Sequence, residues 1–472
     1  MQNLTAILSM NLMIQPNQIC LIVKLYNNRP ELLPDRNENR YIMVNNKRVL
    51  VVSNNCFSPS NSNGRTLGNL FHGWPKENLA QFCLIAKDPA WDVCNNYYCL
   101  EDRTMLIAFK HCKKAVRRKL QISLETVEPK TKAIETQRRN IGKKTLPKMM
   151  LREMVWAFNR WKSKDLEQWV NSFDPDIVVL QFGDNSFMID IALYIAQSRK
   201  IPLVVYNTEG YYFFEKYWYS HSSTDIFLFP LFKYEYHKRV KRLMDYACHS
   251  VYLNDELKED YDNTFNKQST VIYNSSSMQM GNPPKFIDGK TKISYLGGLG
   301  HGRDLAIIDV GDVLSNIDEN LHIDVYGPAD EDALKRLSKA KGIEYHGMVS
   351  YDKVIAIINE SDILFHVEPI SDDYNHLKYG FSGKIADSLM SGKCFVLYAP
   401  KELACSKYII KNECGWFAED KEHLRDVLLR VFNEKQERNQ ILEKAKQVAM
   451  DNHSFQRNAE RFQEVLIRAC SH

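Results

Sequence analysis

Eleven cysteines are present, but none is paired as CxxC and none shares a zinc-type spacing with histidine. That excludes a disulfide scaffold. Thiols scattered among apolar neighbours (Cys20, Cys56, Cys83, Cys94, Cys99, Cys394) suit a reducing, cytoplasmic compartment. No apolar run approaches the roughly 18 residues that a membrane span requires. The opening MQNLTAILSMNLMIQPNQICLIV is broken by Asn, Gln and Pro and lacks a basic lead, so it does not read as a secretory signal. The first strand is not followed by GxGxxG, which argues against dinucleotide binding. RNA- and DNA-binding motifs are missing, and a net charge of +4 gives no global attraction to a polyanion, so no nucleic-acid partner is expected.

What is there reads as a soluble, multidomain chain. Its 472 residues are 44% hydrophobic and 25% charged, enough for two or three domains at roughly 150 residues each. MVNNKRVLVVSNN, from Met43, looks like a complete start: a polar lead into a buried strand. Residues 1–42 are therefore expected to be an N-terminal extension of uncertain status, an appendage or an upstream start. A chain beginning at Met43 that proved insoluble or inactive would refute this.

KRVLVV (47–52) has the continuous apolar character of a buried parallel strand, and a Ser/Asn/Gly loop leads from it into a helix near Arg65. FCLIAK (82–87) and MLIAF (105–109) read as further strands. Residues 110–164 hold 17 Lys and Arg against four Glu and no Asp, a net +13, with Trp156 and Trp161 among them. This basic insertion is either a solvated loop or a surface for anionic lipid headgroups at the inner face of the membrane. DIVVLQ (176–181) and IPLVVYNTE (201–209) are strands that place Asp184 and Glu209 near their C-terminal ends, the edge of a parallel sheet where sites form. Leu231 to Ala247 reads as a long helix. MGNPPKFIDGK has the Pro/Gly content of a linker, and the domain boundary is placed at 280/281.

A second alternating series follows: strand Ile293 to Leu296, a glycine loop from Gly297 to Gly302, and a helix from Arg303. HIDVYG, IEYHG, DILFHVE, CFVLYAP and CGWFA continue the strands. The class is α/β, with two Rossmann-like domains (43–280 and 281–453) facing a cleft. The segment 454–472, capped by Ser454, is a closing helix that packs back toward the first domain. Within the second series, YGFSGKIADSLMSGK (379–393) combines Ser382, Gly383 and Lys384 at a helix start. Free backbone amides and the helix dipole there add to the lysine charge and suit an anion. Asp387, one turn on, suits sugar hydroxyls.

YLGGLGHGRDL, DVYGP, IEYHGMVSYDKVIAIINESDILFHVEP and FSGKIADSLMSGKCFVLYAP, in this order, resemble the nucleotide-sugar-binding half of GT-B fold glycosyltransferases. The likeness is greatest to the retaining family 4 group of bacterial surface-polysaccharide synthesis. The resemblance covers residues 290–471 well and 47–275 more loosely. It implies that Gly297, Gly298, Arg303 and Lys384 grip a donor diphosphate, that Gly327, Val349, Ser350, Ser382 and Gly383 line the donor site, and that Asp387 bonds the ribose. The family's earlier acid falls on Tyr379, so Glu368 is assigned as a substitute catalytic acid beside Arg303 and Lys384. Gly64, Arg65, His72, Asp184 and Glu209 are the acceptor-side candidates. No cofactor and no metal are assigned, the nucleotide sugar being a substrate. The implied activity is glycosyl transfer to a glycan or lipid-linked acceptor. A nucleotide-sugar epimerase of the same architecture and a noncatalytic sugar-nucleotide-binding protein are the alternatives.

Overall fold

Two all-parallel sheets organise the chain, as a computed structural model shows for residues 47–118, 120, 144–220, 222–286, 291–370 and 375–471. The expectation for residues 1–42, and the middle of the basic insertion at 121–143, fall outside the described residues. Both sheets belong to one unit, Arg48–His472.

The first half runs β1 (Val49–Asn55), α1 (Ser62–Leu70), β2 (Leu79–Ile85), β3 (Tyr97–Cys99), α2 (Asp102–Lys110), α3 (Leu146–Ala157) and α4 (Lys164–Phe173). It continues with β4 (Ile177–Phe182), α5 (Phe187–Arg199), β5 (Leu203–Asn207), α6 (Ser223–Tyr246), β6 (His249–Tyr252), α7 (Asp255–Phe265) and β7 (Ser269–Val271). Its sheet has the order β3-β2-β1-β4-β5-β6-β7. Val49 to Val52 are wholly buried, because a central parallel strand is covered by helices on both faces.

The second half comprises β8 (Ile293–Leu296), α8 (Arg303–Ile317), β9 (Ile323–Tyr326), α9 (Glu331–Leu337), β10 (Ile343–Gly347), α10 (Tyr351–Glu360) and β11 (Ile363–Val367). After these come α11 (Gly383–Met390), β12 (Cys394–Tyr398), α12 (Ala404–Asn412), β13 (Trp416–Ala418), α13 (Lys421–Asn433), α14 (Lys435–Asn452) and α15 (Phe455–Cys470). The order is β10-β9-β8-β11-β12-β13. In each sheet the strand order reverses direction once, between β1 and β4 and between β8 and β11. Loops leaving the C-terminal ends of two such strands diverge and open a crevice.

The chain crosses between the halves twice, side by side. Ser276 and Ser454 form a parallel bridge, and Ser276 N–H donates to the His453 carbonyl at 3.0 Å. His453 is fully buried there, with Nδ1 2.7 Å from the Asn274 carbonyl and Nε2 2.9 Å from Tyr408 Oη. Beyond the crossing, Ser454 Oγ caps α15 as expected. The helix packs back onto the first domain against α1, with the Phe462 ring 5.3 Å from that of Phe71.

Three expectations fail. MLIAF is part of helix α2, not a strand: Met105 and Ala108, three apart, are buried while Leu106 and Ile107 face solvent. The edge strand is instead YYC, β3, and a short apolar run does not by itself separate the two periods. In the basic insertion, Trp156 and Trp161 are both buried in the core, so neither is free to meet lipid. Trp156 stacks on Phe187 at 4.3 Å and its indole N–H donates to Asp102 at 2.8 Å. Helix α6 also begins earlier than Leu231: Ser222 and Asp225 form a capping box, and the helix runs on through Pro230.

Candidate active site

The loops after β8 and β9 meet through glycine. A Cβ on Gly327 would overlap the Gly297 carbonyl, and its φ of +149° lies where side chains are rarely found. Gly297 N–H donates to the Tyr326 carbonyl at 2.8 Å, closing the two loops on each other. Gly302, at φ +84°, then turns the chain so that Arg303 is the first residue of α8.

Lys384 reaches this loop from the opposite side of the crevice. Ser382 is the N-cap of α11 and its Oγ accepts from Lys384 N–H at 3.3 Å, which fixes the helix start. The lysine ammonium lies against Gly297 and 5.3 Å from the centre of the Tyr295 ring. Tyr295 donates through its hydroxyl to the Gly298 carbonyl at 3.0 Å. Among the described residues the ammonium has no ion pair. Burial, then the nearby Arg303, lower its pKa to about 8, with Glu368 opposing.

Arg303 is held by Glu368, Nε and Nη2 lying 2.9 and 2.7 Å from Oε2. The other carboxylate oxygen is 3.0 Å from His366 Nε2. Burial penalises the Glu368 charge, but the His366 hydrogen bond and Arg303 more than offset it and hold the carboxyl at about 2. Burial pushes His366 the other way, toward neutrality. Among the described residues its buried Nδ1 has no hydrogen-bond partner. Glu368 thus holds the guanidinium rather than standing free as an acid.

A cavity of about 240 Å³ opens beside Lys384. Gly297, Gly327, Val349, Lys384 and Asp387 of the second domain line it, and Arg65 enters from the first. Most of its remaining wall is apolar: Leu296, Met348, Val354, Ile358, Leu364 and Phe365 form a slot suited to a flat ring, with Ser388 and Tyr326 also at its edge. Asp387 accepts from Ser276 Oγ at 2.7 Å; burial raises its pKa, against that hydrogen bond and the pull of Arg65.

The other expected residues are dispersed. Gly298 and Gly383 flank the cavity without lining it, and Ser350 is an exposed N-cap of α10. Gly64 is a close-packing position, where a Cβ would strike the Cys56 carbonyl. His72 is turned away: its ring packs at a tilt against Phe455 at 4.4 Å, and its carbonyl accepts from Gln463 of α15. Asp184 and Glu209 stand near each other on the first sheet's C-terminal edge. Asp184 accepts from Tyr219 Oη at 2.9 Å and pairs with Lys144 at 3.5 Å. Burial, then Asp184, push the Glu209 carboxyl up to about 7. The next residue, Gly210, abuts the Tyr379 ring, which leaves no space for a Cβ. Tyr379 itself bonds Asp260 across the domains at 2.5 Å. The apolar slot and Tyr295 were not anticipated; the one available signal was Val354 and Ile358, four apart on α10 and facing the loops.

Residues 311–464 match the family model described as glycosyl transferase-like. No curated protein sequence matches the chain. Among solved structures, the chain is similar to Anabaena HepE in complex with UDP, at 11% identity and a TM-score of 0.57, covering 89% of this chain and 99% of that one. Sucrose-phosphate synthase from Thermosynechococcus elongatus is similar at 10% identity and a TM-score of 0.54, with 89% and 99% covered. WaaG, a glycosyltransferase involved in lipopolysaccharide biosynthesis, gives 11% and 0.52, with 88% and 99% covered. These likenesses establish the fold.

Proposed function

We propose, on the premise that this chain has the GT-B glycosyltransferase fold and that its residues 311–464 belong to the glycosyl transferase-like family, that it moves a sugar from a nucleotide-sugar donor to a hydroxyl of a glycan or lipid-linked glycan. The observation that carries this reading is the half-buried Lys384, without an ion pair among the described residues, at the mouth of an apolar slot that also holds Asp387. A nucleoside diphosphate needs these three things together: a flat apolar seat for its base, an acceptor for its ribose hydroxyls and cationic charge for its phosphates.

The costly event in transfer is departure of the diphosphate as positive charge builds at the sugar carbon. Lys384 and the positive end of the α11 dipole meet the departing charge. Arg303 adds a guanidinium whose direction Glu368 sets, which makes Glu368 a positioning residue in this reading. These cations supply the charge compensation that a divalent ion supplies elsewhere, so transfer is expected without added metal. Retention of anomeric configuration follows from the family resemblance. Arg65, Asp184 and Glu209 face the acceptor side.

Mass spectrometry of products from a donor panel with lipid-linked acceptors tests the reaction. UDP sugars come first, because the HepE structures hold UDP and UDP-glucose. Lys384→Ala with intact folding and normal transfer rates would sink the lysine's role. Incubation with donor alone separates transfer from epimerisation, and binding without turnover marks a noncatalytic protein.

A peripheral contact with an anionic membrane, on the cytoplasmic side, is supported by a different set of side chains from the buried tryptophans. Leu151, Met154 and Phe158 at α3, and Ile226, Phe227, Leu231 and Tyr234 of α6, are exposed on two packed helices. Lys148, Lys233 and Lys238 belong to the same helices. Among the described residues no helix is long and apolar enough to cross a membrane. Charge reversal within 110–164 should release the protein from anionic vesicles, and unchanged partitioning rejects the contact.

A further inference from the structure

Helix α11 carries Lys384 and Asp387, the charged side chains of the second domain that line the donor cavity. The segment that leads from the first domain into the second runs alongside this helix and bonds it from one end to the other. Asn274 Nδ2 donates to the Phe381 carbonyl at 2.8 Å, just ahead of the Ser382 cap. Ser276 Oγ donates to Asp387 Oδ1 at 2.7 Å, in the middle of the helix. Gly281 N–H donates to the Met390 carbonyl at 2.9 Å, at the last residue. A fourth bond comes from α7 of the first domain, where the N-cap Asn254 donates through Nδ2 to the Tyr379 carbonyl at 2.9 Å. Asn254, Asn274 and Ser276 are all buried. Buried donors of this kind fix their partners in place, because breaking one bond strands a polar group away from water.

Of this set, Ser276 acts on a cavity-lining side chain. Its oxygen accepts from Met278 N–H at 3.1 Å, and its single proton goes to the carboxylate. Its backbone is pinned as well: Ser276 N–H donates to the His453 carbonyl at 3.0 Å, and Ser276 pairs with Ser454 where the two crossing segments run side by side. The hydroxyl therefore has a fixed origin at the join between the domains. Asp387 Oδ2 makes no hydrogen bond among the described residues. Burial opposes ionisation of Asp387, while the Ser276 bond and the charge of Arg65 across the crevice favour it.

We propose that Ser276 is a positioning residue for the donor's ribose: from the crossing between the domains it holds one oxygen of Asp387, so that the other is presented to a ribose hydroxyl. The proposal rests on the reading of this cavity as the nucleotide-sugar site. Ser276 stands 111 residues before Asp387 and outside every motif that carries the family resemblance. Nucleotide recognition is thereby set by the join between the two halves as well as by the second domain.

Calorimetric titration of the full-length protein with UDP, GDP and ADP identifies the nucleotide bound, and its 2′-deoxy and 3′-deoxy forms then measure ribose selectivity. The wild type should prefer the parent nucleotide to at least one deoxy form by about tenfold, the scale of one hydrogen bond to a charged group. Ser276→Ala should weaken the parent nucleotide and bring parent and deoxy affinities within about threefold of each other. Inorganic pyrophosphate, which has no ribose, should bind the variant as it binds the wild type. Ser276→Cys, similar in size and a weaker donor, should fall between the two and keeps the test available if the alanine variant does not fold. A wild type indifferent to the ribose hydroxyls, selectivity unchanged by the variants, or pyrophosphate weakened as much as the nucleotide would each overturn the assignment and leave the donor site standing. A wild type that binds none of the three nucleotides would overturn the donor-site reading and this assignment with it.

Discussion

Lys384 lies so close over Gly297 that a methyl group on the glycine would collide with its ammonium. The glycine is therefore the space in which the lysine charge sits, beyond any freedom it gives the loop. Gly297→Ala should displace the ammonium and weaken binding of the preferred nucleoside diphosphate about tenfold, roughly 1.4 kcal/mol. Calorimetric titration checks this, with an unchanged circular dichroism spectrum showing that the fold is kept.

The depressed pKa of that lysine predicts a pH dependence. Its free amine titrates at about 8, so it is charged below and neutral above that value. Diphosphate affinity should fall as pH rises through about 8 in the wild type. Lys384→Arg, which stays charged, should remove the dependence.

Glu368 predicts acid sensitivity. Its folded pKa of about 2 lies below the 4.5 of a free glutamate, so the stabilisation is complete above about 4.5 and fades as pH falls toward 2. Glu368→Gln should cost about 3–5 kcal/mol near neutrality, because Arg303 loses its buried partner. The gap to wild type should narrow below pH 4.5 in urea melts; a constant gap would contradict the ion pair.

Glu209 predicts an acidic limb in catalysis. Half-ionised near pH 7, it becomes a better hydrogen-bond acceptor for an incoming hydroxyl as pH rises. The kcat/KM for acceptor should increase through pH 7, and Glu209→Gln should lower it about tenfold and flatten the profile. A Gln variant that retains the wild-type limb would assign the titration elsewhere.

The second half of the chain was far more legible than the first. Strand Ile293–Leu296 and the helix starting at Arg303 fall where the sequence places them, because short loops between buried strands leave little freedom. The anion-type start at Ser382 to Lys384 is equally local, a cap and a charge within one turn. What pattern could not reveal depends on tertiary approach. Glu368 reads as a free strand-end acid until Arg303, 65 residues away, is seen to occupy it. Arg65 lines the cavity only because the two sheets face each other, and His72 meets Phe455 only because α15 returns to the first domain.

The return of α15 to the first domain bears on how the chain is made. The helix rests on α1, β4 and β5 through Phe462 and its neighbours, yet it is translated after every strand of both sheets. At about 5–20 residues per second, the first domain spends roughly 10–40 s on the ribosome without its outer helix. Phe71 and Tyr206 lack their contact with Phe462 during that interval. A premature stop that spares every donor-site residue would still leave the first domain without this helix.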